Sequence, residues 1–87
     1  MNIFETIYEC NINHPSKLAL SVTMDDGSTR AYTYADVFSK VAEYADRLLS
    51  SGVREGDRIA IACDGSPEWT IAFLAICKIK CTAALID

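Results

Sequence analysis

The spacing of hydrophobic residues changes along the chain, and each change marks an element. Ile3, Phe4, Ile7 and Tyr8 recur at helical spacing, which predicts a short amphipathic helix within residues 2–13, broken by His14-Pro15-Ser16. Residues 18–24 read as a strand, and Asp26-Gly27 is a turn pair able to take the positive φ angles of a tight hairpin. Residues 29–33 are then the returning strand.

The next element is the most strongly marked. Thr33-Tyr34-Ala35-Asp36 resembles a capping box with aspartate in place of the usual glutamate or glutamine. Asp36 also sets negative charge at the positive end of the helix. Val37, Phe38, Val41, Ala42, Ala45, Leu48 and Leu49 make one apolar stripe. Asp36 with Lys40, and Glu43 with Arg47, stand four apart with the acid first, the favourable order. Gly52 supplies a left-handed stop, with Val53 placed to pack back on Leu48.

Beyond the polar turn at residues 54–57, residues 58–63 form a nearly continuous apolar strand of the kind buried on both faces. Asp64-Gly65 turns the chain, Ser66 is a good N-cap, and Pro67 suits a first helical position. The helix predicted over residues 67–79 is apolar nearly all round, so it expects cover on more than one side from neighbours outside this polypeptide. Residues 81–86 read as another strand, which completes a βαβ unit with parallel strands and a right-handed crossover. The expected fold is α/β in the order α-ββ-α-β-α-β, a single partial domain over residues 1–87.

Charge and composition narrow the function classes. The net charge is −4, and the eight basic residues are scattered, with no cluster to neutralise phosphates, so nucleic acid is a poor partner. The longest apolar stretch, residues 71–77, is far short of a membrane span. The N-terminal residues lack a basic region followed by an apolar run, so no signal peptide is visible. A chain 51% hydrophobic is rich in apolar residues for its size, so some apolar surface is expected to meet a partner.

Cys10, Cys63, Cys77 and Cys81 lack Cys-x-x-Cys spacing, which favours ordinary buried thiols in a reducing cytoplasm over zinc ligands. Cys77 and Cys81 are four apart and could share a helix face, where two small buried side chains are favoured over a redox pair. His14 fits an exposed turn, and Trp69, Tyr32, Tyr34, Phe38 and Tyr44 fit packing rather than base stacking. The strand end and helix start around Ser66 have the geography of an anion site. Pro67 removes one N–H there, and Asp64 and Glu68 would repel an anion, so a structural cap is the favoured reading.

Three stretches together resemble the start of the adenylate-forming superfamily, the acyl-CoA synthetases and their relatives. They are Thr33-Tyr34-Ala35-Asp36-Val37, the run from Gly52 to Ile61, and Ser66-Pro67-Glu68-Trp69 with Ala72-Phe73-Leu74-Ala75-Ile76 and Lys78. The likeness covers nearly the whole chain and is strongest over residues 33–79. Two departures stand out: Lys80 replaces a glycine of the family pattern, and Leu85 a proline. Lys80 puts the helix exit in question, because a glycine leaves a helix through positive φ at least cost.

The resemblance implies a parent enzyme that uses ATP and magnesium to activate a carboxylic acid as an acyl-adenylate. The acyl group then passes to a thiol, either coenzyme A or a carrier-protein phosphopantetheine. The family's Ser/Thr/Gly-rich loop ending in lysine is not in this sequence, and the four glycines read as turn residues. No catalytic, cofactor-binding or metal residue is therefore expected here, and the chain alone is expected to be an inactive scaffold partnered by the rest of the ligase domain. An amino-acid-activating domain of a peptide synthetase shares the early pattern and remains open. So does a free-standing interaction module. An exposed sheet edge and the apolar helix 67–79 are the expected surfaces for self-association.

Overall fold

A computed structural model describes residues 2–62 and 67–86. The element order is α1 (Ile3–Asn11), β1 (Leu18–Thr23), β2 (Thr29–Thr33), α2 (Tyr34–Ser50), β3 (Arg58–Ala62), α3 (Pro67–Lys78) and β4 (Thr82–Ile86). This is the order read from the hydrophobic pattern.

Local chemistry starts each helix. Asn2 caps α1 by accepting from the Glu5 N–H at 3.0 Å, and its amide donates to the Cys77 carbonyl at 2.8 Å. One side chain thus begins α1 and ties it to the end of α3. At α2 the capping box is complete: the Thr33 hydroxyl accepts from the Asp36 N–H, and the Asp36 carboxylate accepts from the Thr33 N–H. Asp36 faces back to its cap; of the two acid-first pairs expected on α2, Glu43 with Arg47 is joined, at 2.8 Å.

β1 and β2 form an antiparallel hairpin with an irregularity between Leu18 and Leu20. Its turn is fixed by Gly27 at φ 87° and by Asp26, whose carboxylate accepts from the Ser28 hydroxyl and N–H. Those two bonds hold the Asp26 carboxyl below its ordinary pKa. β3 and β4 form a separate parallel pair, in register from Arg58 beside Thr82 to Ala62 beside Ile86. The βαβ unit is therefore present as β3–α3–β4.

The core gathers Phe4, Val37, Val41, Ala45, Ile71, Leu74 and Ala75, with Ile7, Leu20, Tyr32, Phe38 and Leu48 packed around it. Phe38 meets Tyr8 edge-on at 4.9 Å and packs near Phe4 and Tyr34, so these four rings serve as packing groups, whereas Tyr44, expected to pack as well, is exposed. Trp69 stacks on Phe73 within α3 at 5.7 Å. His14 lies exposed in the turn after α1, as its position before proline indicates.

Four expectations need correction. The cover for α3 is encoded in the chain itself: α1, α2, β1, β3 and β4 all pack on it, and Pro67, Ile71, Ala72, Leu74, Ala75 and Ile76 are buried. An apolar helix signals that it is covered, not which segment covers it. The second correction concerns β3, which is not buried on both faces. Ile59 and Ile61 are half-buried towards α3, while Arg58, Ala60 and Ala62 are exposed, because nothing among the described residues lies over the outer face.

The thiols differ too. Cys10 is exposed, and Cys77 and Cys81 are half-buried. Finally, Cys77 and Cys81 do not share a helix face, since α3 ends at Lys78 and Cys81 lies beyond its exit. Cys63, the Asp64-Gly65 turn and the Ser66 cap lie outside the described residues.

Candidate functional site

Three recesses lined by described residues bear on function. The first, of about 250 Å³, lies between β2, α2 and α3 and is lined by Arg30, Tyr32, Lys40, Glu43, Tyr44, Arg47, Glu68 and Ile71. Three cations in one groove could hold a phosphate, but two are already engaged. Arg30 meets Glu68 at 3.3 Å and Arg47 meets Glu43 at 2.8 Å, all on exposed side chains. An incoming anion would meet both carboxylates as well, so the groove is a solvated charge network worth little to binding.

The second recess, about 300 Å³, sits at the carboxyl end of β3 against the start of α3. This is where open α/β sheets receive ligands. Its described lining is Tyr44, Ala60, Ile61, Ala62, Glu68, Trp69 and Ala72, which offers a carboxylate and no cation. Glu68, expected with Asp64 to repel an anion, accepts from Arg30 at 3.3 Å.

The third is a shallow depression of about 430 Å³ bounded by Asn2, Glu5, Cys77, Lys80 and Cys81. Burial pushes the Cys77 thiol above its ordinary pKa, which lowers its nucleophilicity. The Cys81 thiol donates to the Arg54 carbonyl at 3.1 Å. The amide of Asn2 is held by Cys77. Nothing in this hollow is primed for nucleophilic chemistry.

Among the described residues no group of three or more His, Cys, Asp or Glu side chains could hold a metal ion. No helix among them is long and apolar enough to cross a membrane. Lys80, the residue that sequence reasoning doubted most, has a clear place. It leaves α3 at φ 61°, its N–H donates to Cys77 at 3.1 Å, and its carbonyl accepts from Gly56 at 3.0 Å.

A parallel βαβ unit beside a helix-packed antiparallel hairpin defines a mixed α/β fold. Comparison gives that fold its family. The AMP-binding enzyme family matches residues 9–87, and the chain belongs to it. The acetyl-coenzyme A synthetase of Streptomyces coelicolor is 36% identical over 70 residues, covering 80% of this chain and 11% of that protein. The acetyl-coenzyme A synthetase of Burkholderia mallei is 31% identical over 84 residues, covering 91% of this chain and 13% of that protein.

Among solved structures, the Klebsiella oxytoca NpsA N-terminal subdomain aligns with TM-score 0.85 and 25% identity, over 98% of this chain and 21% of that one. The fatty acid AMP ligase from Legionella pneumophila shares the fold, with TM-score 0.87 at 19% identity over 98% of this chain and 15% of its own. The chain thus spans 11% to 13% of the length of these curated relatives.

Proposed function

We propose that this chain is the N-terminal scaffold of an AMP-forming ligase that activates a carboxylic acid as an acyl-adenylate and passes it to a thiol. The observation that carries the reading is the family match over residues 9–87 in a chain that spans about a tenth of its curated relatives. The names of those relatives favour coenzyme A as the thiol and a small acid as the substrate.

In this reading the chain contributes no catalytic residue. Acyl-adenylate formation builds negative charge on the reacting phosphates, and fixed N–H donors, lysine and magnesium must meet it. None of the three recesses described above presents an unpaired cationic cluster among its described lining residues. The chain's part is mechanical. Asn2, the Thr33–Asp36 capping box and the α3 core fix a rigid body against which the nucleotide and acid pockets are assembled. ATP and magnesium belong to the parent, and the surroundings of this portion are the rest of the ligase domain. A cytoplasmic location fits the thiols and the coenzyme A chemistry.

The test is pyrophosphate exchange. The 87-residue chain with ATP, magnesium and acetate is expected to give no acid-dependent exchange, whereas the chain joined to its full reading frame is expected to give it. Exchange by the chain alone, or none from the full frame with acetate, propionate or longer acids, would overturn the reading.

A further inference from the structure

We draw no further inference here: the strongest candidate, the hollow beside the α3 exit that Cys77 and Cys81 both line, carries nothing, since burial holds the Cys77 thiol up, the Cys81 thiol is engaged by the Arg54 carbonyl, and no metal-holding group of side chains forms among the described residues.

Discussion

The two long helices of this chain end in the same way with different residues. At the end of α2, the Gly52 N–H donates to Leu49 and the Val53 N–H to Leu48, each at 3.2 Å. At the end of α3, the Lys80 N–H donates to Cys77 at 3.1 Å and the Cys81 N–H to Ile76 at 3.0 Å. Both are the paired closing bonds of a Schellman motif, and both place the pivotal residue at positive φ, 101° for Gly52 and 61° for Lys80.

Glycine takes that conformation freely, whereas lysine carries a Cβ that resists it by about 1 kcal/mol. The second exit persists because more holds it. The Lys80 carbonyl accepts from Gly56, Thr82 donates to Asp57, and the Asn2 amide grips the Cys77 carbonyl. Tertiary bonds therefore replace local preference at one exit, while local preference suffices at the other.

Substitutions can break this contrast. The largest effect is expected from the residue that anchors each first closing bond. Ile76 is fully buried, and Ile76→Ala should destabilise the chain by about 3 kcal/mol in urea unfolding. Leu48 is only partly buried, and Leu48→Ala should cost about 1–2 kcal/mol. Equal losses would remove the claim that the α3 exit is the more deeply held.

Next is Gly52→Ala, expected to lower stability by about 1 kcal/mol. An added Cβ there meets nothing within 4 Å, so the effect isolates backbone strain. Lys80→Gly should do the opposite and stabilise by about 0.5–1 kcal/mol, a rise of a few degrees in melting temperature. If Lys80→Gly destabilises, the lysine side chain makes a contact that outweighs its strain. The smallest change is expected from Gly52→Lys combined with Lys80→Gly, whose opposed effects should leave stability within about 0.5 kcal/mol of the parent.

The same contrast explains what the sequence discloses. The Thr33–Asp36 box, the Gly52 exit and the Asp26-Gly27 turn were legible because each is decided by residues within a few positions of one another. The strand–helix–strand order was legible from periodicity and punctuation. The Lys80 exit was not, because the groups that hold it come from residues 2, 56 and 57. The cover on α3 was misassigned for a similar reason. Its composition shows a buried helix, but α1 and β1 lie 40 or more residues upstream, and periodicity carries no information about which distant segment packs where. Asp36 and Lys40 looked like an ion pair by spacing, but the carboxylate has a stronger use at the cap.

The candidate site divides along that line as well. The carboxylate at the α3 start could be anticipated from Glu68, which follows Pro67 in the sequence. The engagement of Arg30 by Glu68 could not, since it joins residues 38 positions apart. Legibility therefore ends where long-range pairing decides which charges remain free.

The central claim is that this portion of an AMP-binding enzyme is a rigid support that holds no nucleotide by itself. Melting the 87-residue chain with and without excess ATP and magnesium tests it most directly. The account predicts superimposable curves. A rise of several degrees with ATP, which only preferential binding to the folded chain produces, would contradict it.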